Sequence, residues 1–158
     1  CDLRYDVLGS TNTNDGDATA TTATNPVANT LMAALPSDLR AVMQPMTIYT
    51  DNTGGGSDNA SYVTKTTDYL PLLAEYEIFG TRSYANSAEK NYQAQYAYYS
   101  AGNSKVKYRH SATGSAAWWW ERSPNCGDSN AFCTVGTGGG ASRNTARYSD
   151  GVAPAFRV

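Results

Sequence analysis

The sequence predicts an α+β domain. Short helical periodicities lie in the first half of the chain, and apolar runs of strand length lie in the second. The composition agrees. Only 16% of residues are charged, below the roughly 25% usual in globular proteins, and Thr, Ser, Asn and Gly carry the polarity. Such a mixture suits turns, strands and neutral surfaces better than long salt-bridged helices. At 158 residues and 41% hydrophobic, the chain reads as a single domain over 1–158 with a real core.

The elements follow in order. "CDLRYDVLG" alternates Leu3, Tyr5 and Val7, which fits a short strand or an ordered lead-in. Ser10–Pro26 has no large apolar residue and reads as a loop long enough to be functional or mobile. Val27, Leu31, Met32 and Leu35 recur at helical spacing until Pro36 interrupts. Ser37 is placed to cap a second short helix with Leu39, Val42 and Met43 on one face, stopped by Pro45. "MTIYT" (Met46–Thr50) reads as a strand and Asp51–Ser61 as a flexible loop. Asp68–Gly80 predicts a helix with Leu72, Tyr76 and Phe79 on one face and Gly80 as its C-cap. Tyr92, Tyr96 and Tyr99 mark one face of a helix or a tyrosine-rich edge, with core packing favoured over a binding platform. "AAWWWERSP" (Ala116–Pro124), "AFCTV" (Ala131–Val135) and "GVAPAFRV" (Gly151–Val158) read as strands of a small antiparallel sheet closed by the C-terminal strand.

Several function classes drop out. Net charge is −2 with no basic block, so no nucleic-acid partner is expected. No apolar run approaches the roughly 20 residues that span a bilayer, so no membrane insertion is expected. The chain begins at Cys1 with no initiator Met or signal segment, which reads as the C-terminal part of a longer protein. Cys1, Cys126 and Cys133 make no disulfide framework; Cys133, in an apolar run, reads as a buried free thiol. "GTGGGA" (Gly136–Ala141) matches G-x-G-x-x-A, but only 17 residues follow, without helical periodicity, and no Gly-Lys-Ser/Thr is present. It reads as a turning loop, and no cofactor is expected.

The catalytic patterns are equally thin. His110 is the only histidine and sits in a polar segment, so neither a zinc site nor a Ser-His-Asp triad is expected. Glu75 and Glu77, two apart on a helix, diverge and make no acid/base dyad. Strand alternation puts Trp118, Trp120 and Arg122 on one face and Trp119 and Glu121 on the other. If both faces are covered, Glu121 must pair with a backbone amide or an arginine, as a structural pin. No catalytic residue, no metal ligand and no enzymatic activity are expected.

Two stretches carry a resemblance. "LPLLAEYEIFG" (Leu70–Gly80) is similar to the "LPTEAEWEYA" helix of the C-type lectin fold as found in formylglycine-generating enzymes and phage variable proteins. "AAWWWERSP … GVAPAFRV" resembles the ending of that group. "CDLRYDVLG", "EYEIFG", "QYAYY" and "WWERSP" are also similar to an uncharacterised family from gut bacteria and their phages. The enzyme branch of the group uses a close pair of reactive cysteines near the end, whereas Cys126 and Cys133 are seven apart. The calcium-binding lectin triplets Glu-Pro-Asn and Trp-Asn-Asp are absent.

The remaining branch, the variable proteins of diversity-generating retroelements, implies a C-type lectin-like domain whose final stretch is rewritten at adenines. Asn codons mutated at adenine still end in C or T, and such codons never encode Lys, Glu, Gln, Met or Trp. None of those five occurs from Ser123 to Val158, whereas Ala88–Arg122 holds Lys, Glu, Gln and Trp. The resemblance thus implies a variable ligand-binding surface at Asn125, Cys126, Gly127, Asp128, Asn130, Ala131, Thr134, Gly136, Gly138, Gly140, Ser142, Arg143, Asn144, Thr145, Arg147, Tyr148 and Asp150. Trp118, Trp120, Phe132, Val135, Val152, Phe156 and Val158 would hold the sheet beneath it, with Phe132, Cys133 and Val135 as fixed core. Arg143, Arg147 and Tyr148 would be the strongest anchors.

The implied partner is a cell-surface protein or glycan of a host or neighbouring cell. The implied place is a phage tail tip or fibre, or a bacterial surface, with a homotrimer assembled through upstream regions by analogy with tail fibres. The alternatives implied by the same resemblance are a copper-dependent oxidase using Cys126 and Cys133, and a structural decoration domain of a virion.

Overall fold

The computed structural model describes residues 31–158. The Leu3–Val7 alternation, the Ser10–Pro26 loop and Val27 lie outside the described residues. The architecture is mixed α and β, with a few short helices and small antiparallel sheets. β1 (Met46–Asp51) and β2 (Val63–Asp68) form a two-stranded sheet. The chain forms two compact units. One holds residues up to Ile48 with Lys65–Pro71 and Pro154–Val158; the other holds Tyr49–Thr64 with Leu72–Ala153.

In the first unit, α1 (Leu31–Ala34) and α2 (Ser37–Val42) flank Pro36. The predicted Ser37 cap moves by one residue. Pro36 is the N-cap, its extended ψ of 140° letting its carbonyl accept the Arg40 N–H at 3.0 Å, and no side chain caps the helix. Met43 is buried while Val42 is exposed. The predicted C-terminal strand does not form. Among the described residues the Gly151–Val158 segment makes isolated bridges, Gly151 with Trp119 and Arg157 with Gln44, and no continuous ladder; Pro154 has no N–H to give one. Phe156 and Val158 are exposed rather than holding a sheet.

The second unit is built around α3 (Glu75–Phe79), shorter than the predicted Asp68–Gly80 helix. Leu72 precedes it in extended chain. Glu77 turns back to accept the Ala74 N–H at 2.9 Å, as in one half of a capping box, and so fixes the start. Gly80 ends it as predicted, at φ 70°, donating to the Tyr76 carbonyl. The tyrosine stripe does not lie on one helix. Tyr92 ends a 3-10 turn (Ser87–Asn91) and Tyr96 precedes α4 (Ala97–Ser100). Between them, Gln93 donates its side chain to the Tyr49 carbonyl and Gln95 to the Ile78 carbonyl. Only Tyr99 of the three is buried.

β3 (Lys107–Arg109) and β4 (Ala112–Ala117) form an exposed hairpin. β5 (Trp119–Pro124), β6 (Ala131–Val135) and β7 (Ala141–Thr145) form an antiparallel sheet in the order β5-β6-β7. The tryptophan run is divided between elements: Ala116 and Ala117 end β4, Trp118 is exposed between strands, and Trp119 opens β5. The register of β5 on β6 shifts between Trp120 and Pro124. Such an irregularity re-aims the residues within it, here Glu121, Arg122 and Ser123. β7 supplies the third strand that the C-terminal segment was expected to supply. Its sequence, ASRNT, has no apolar alternation, and it forms because the Gly136–Gly140 turn folds it back on β6 in an unbroken register from Val135–Ala141 to Ala131–Thr145. The core of this unit is Ile78, Tyr99, Trp119 and Val135, with Leu73, Phe79 and Ala153 against it. The Trp119 indole N–H is satisfied by the Lys105 carbonyl at 3.0 Å.

Candidate functional site

Three buried polar groups build the ground beneath the predicted surface. The Glu75 carboxyl accepts the N–H groups of Ser83, Tyr84 and Ala85 at 2.8–3.0 Å and thereby shapes the segment after α3. Glu89 accepts from the Asp51 N–H (2.9 Å), the Ser123 hydroxyl (2.6 Å) and the Gln93 amide (3.0 Å). Asp51 accepts from the N–H groups of Thr53 and Gly54 and from the Asn86 side chain, which also reaches the Asn59 carbonyl. These bonds hold the Asp51–Ser61 loop, predicted to be flexible, against the chain around Asn86. Glu75 and Glu77 point to different partners, as their spacing dictates.

On that ground sits the turn from Asn125 to Ala131. The Asn125 N–H donates to the Ala131 carbonyl (2.9 Å), and the Asn125 side chain accepts the Gly127 N–H (3.0 Å). Asp128 accepts the Asn130 N–H (2.9 Å). The Cys126 N–H donates to the Tyr84 carbonyl at 2.9 Å, and the Cys126 sulfur lies 3.0 Å from the Arg82 guanidinium. Arg82 also donates to the Ala85 carbonyl and pairs with Asp58 at 3.0 Å. The Ser87 N–H bonds Asp58 and, with Arg82, holds its carboxyl below the ordinary value. Gly56, at φ 66°, backs onto Ser129 so closely that a Cβ would stand 2.8 Å from the Ser129 nitrogen.

The glycine cluster is the β6–β7 hairpin turn. Gly139 donates to the Gly136 carbonyl, Gly136 to the Gly140 carbonyl, and Gly139 takes φ 80°. Within the Gly136–Gly140 pair the tip is three residues, Thr137–Gly139, ending in a left-handed glycine, a standard hairpin solution. Beyond it, the Arg143 guanidinium lies over the Tyr84 ring at 5.2 Å and the Arg147 guanidinium over the Tyr148 ring at 5.1 Å. The Asn144 amide donates to Asp150 at 2.8 Å.

The predicted surface residues therefore separate. Gly127, Asn130, Gly138, Gly140, Arg143, Arg147 and Tyr148 are exposed. Cys126, Asp128, Gly136, Ser142, Asn144, Thr145 and Asp150 are partly covered. Asn125, Ala131 and Thr134 are buried and present no side chain to a ligand. Asn125 is spent on the turn, Ala131 lies on the inner face of β6, and Thr134 sits mid-strand between Trp120 of β5 and Ser142 of β7.

The assumed scaffold residues also change place. Trp120, Cys133 and Val135 are buried, but Phe132 and Trp118 are exposed. Alternation along β6 explains Phe132: Ala131, Cys133 and Val135 face the core, so Phe132 faces away, edge-on to Trp120 at 6.3 Å. That alternation was legible in "AFCTV". The flanking residues Arg82 and Tyr84, 44 and 59 positions from their partners Cys126 and Arg143, carried no local signal.

Glu121 is 1% exposed, and neither of its oxygens has a hydrogen-bond partner among the described residues. The expected pairing with an amide or an arginine is absent because Arg122, re-aimed by the register shift, is taken by Glu77. Burial, with Glu75 and Glu89 adding repulsion, pushes the Glu121 carboxyl well above its ordinary value. Burial likewise raises the Cys133 thiol well above its ordinary value. Among the described residues, no three His, Cys, Asp or Glu side chains group to hold a metal ion, and no helix is long and apolar enough to cross a membrane.

Residues 24–158 match the family described as a domain of unknown function (DUF6273), and the chain belongs to that family. No curated protein and no solved structure matches the chain.

Proposed function

We propose that this is a ligand-recognition domain with a C-type lectin-like fold, whose outward β6–β7 surface is diversified by a retroelement. It would attach a phage tail or a bacterial surface to a cell-surface protein or glycan. The observation that carries the reading is a separation of duties. The hairpin is positioned by its backbone ladders, and the neighbouring strand β5 is held by side chains that precede the variable stretch, Glu89 on Ser123 and Glu77 on Arg122. The side chains of Arg143, Arg147 and Tyr148 are exposed and make ring contacts and one hydrogen bond with each other or with Tyr84. Surface side chains with so few obligations change at little cost in stability. A preorganised scaffold also lowers the ordering cost of binding.

The absence of Lys, Glu, Gln, Met and Trp after Arg122 supports adenine-directed variation. The burial of Cys133 favours this reading over a dithiol oxidase, which needs both sulfurs accessible. The test is alanine substitution at Arg143, Arg147 and Tyr148, with cell attachment and thermal unfolding both measured. The reading expects unchanged unfolding and attachment lost on at least one cell type. Unchanged attachment to every cell type would remove it.

A further inference from the structure

β7 is an edge strand, and its hydrogen-bonding pattern shows which groups remain free. Gly136 with Gly140, and Asn130 with Ala146, bracket the β6–β7 ladder with direct hydrogen bonds. Antiparallel pairs alternate, so Ser142 and Asn144 also turn their backbone groups toward β6, while Ala141, Arg143 and Thr145 turn theirs away. Thr145 is satisfied locally: its N–H donates to the Asn144 side chain at 3.0 Å and its carbonyl accepts from Tyr148 at 3.1 Å. Ala141 and Arg143 have no such partners among the described residues, and Arg143 is exposed. Two donors and two acceptors thus stand in a row on an open edge, the arrangement that pairs with another strand.

The charge beside this edge selects the occupant. Arg143 and Arg147 each rest on a ring, and neither has a carboxylate within ion-pair distance among the described residues. A second copy of this chain, paired edge to edge about a two-fold axis, would gather Arg143 and Arg147 of both copies along one seam, and like charges brought together are unfavourable. The geometry points to an extended, acidic segment of a partner protein, which adds to β7 as a fourth strand. Its backbone exchanges hydrogen bonds with Ala141 and Arg143, and its carboxylates meet Arg143 and Arg147. This names a class of ligand for the recognition surface and rests on that reading. Backbone pairing supplies an affinity that survives variation of the side chains.

The experiment uses a displayed library of random ten-residue peptides selected on the whole chain. The discriminating variant is Ala141→Pro. It removes one outward donor without breaking the β6–β7 ladder, and proline is tolerated at such edge positions. Selected peptides are expected to be acidic, to lose at least tenfold in affinity on Ala141→Pro or on alternate N-methylation, and to slow hydrogen exchange at Ala141 and Arg143 by at least tenfold. Exchange is measured on the unaltered chain, so the test survives a poorly folded variant. Peptides that bind without protecting those two amides, or a selection that yields no acidic peptide, would overturn the inference. So would a homodimer that Ala141→Pro dissolves. If attachment to cells survives Ala141→Pro but not alanine at Arg143, Arg147 and Tyr148, the recognition surface stands and strand addition fails. If both leave attachment unchanged, the recognition reading itself fails.

Discussion

Arg122 grips Glu77 with two guanidinium nitrogens, each 2.6 Å from a carboxylate oxygen, and both side chains are only 10% exposed. The same guanidinium donates to the Leu72 carbonyl at 2.8 Å and to the Thr50 hydroxyl at 2.7 Å. One side chain of β5 therefore ties down the start of α3 and the end of β1. Removing one member strands the other in a covered site. Arg122→Met is predicted to lower unfolding free energy by about 3–5 kcal/mol. Replacing both, as Arg122→Met with Glu77→Leu, is predicted to recover a large part of that loss. Urea unfolding of the single and double variants checks both statements, and additive losses would show that the pair is not coupled.

Glu121 gives the domain a pH dependence of defined sign. Burial raises its carboxyl well above 4.5 in the fold, with Glu75 and Glu89 adding repulsion and Arg122 opposing. The folded chain keeps a proton that the unfolded chain releases near 4.5. The contribution is full below that pH and is lost as pH rises toward the folded value, at about 1.4 kcal/mol per pH unit. Glu89 is raised in the same direction, chiefly by burial, and adds to the slope. Glu121→Gln, which keeps shape and removes the titrating proton, is predicted to flatten the fall as pH rises above 4.5. Urea midpoints across that range measure it; parallel slopes for the two chains would refute the assignment.

Gly56 is a point where the Asp51–Ser61 loop touches the Asn125–Ala131 turn. Its positive φ and the 2.8 Å approach of a Cβ to the Ser129 backbone leave no room for a side chain. Gly56→Ala is predicted to destabilise the domain by about 1–3 kcal/mol and to raise hydrogen exchange at Ser129. Gly138→Ala, where a Cβ meets nothing within 4 Å, is predicted to leave both unchanged. Equal effects at the two positions would mean the loop does not support the turn.

The parts of the fold legible in sequence are those fixed by local chemistry. Pro36 and Pro45 bound the first helices, Gly80 ends α3, and "MTIYT" and "AFCTV" carry strand chemistry. What was not legible depends on distant partners. The third sheet strand was assigned to apolar "GVAPAFRV", but Pro154 cannot donate, and polar "ASRNT" won the place through a hairpin turn. Glu121 was expected to be paired, yet the register shift in β5 gives the arginine to Glu77. At the candidate site, burial of Asn125 and Thr134 follows from a turn and from a central strand position, neither of which composition reveals. The exposure of Phe132, by contrast, followed from the period of two and was open to reading.

The central claim is that a fixed scaffold presents a face free to vary and to bind. Simultaneous randomisation of Gly127, Asn130, Ser142, Arg143, Arg147 and Tyr148, sorted first for protease resistance and then against several cell types, tests it most directly. The account predicts that the majority of variants stay folded and that different cell types select different side chains at these six positions. A library that is mostly unfolded, or one whose members bind every cell type as the starting chain does, would contradict it.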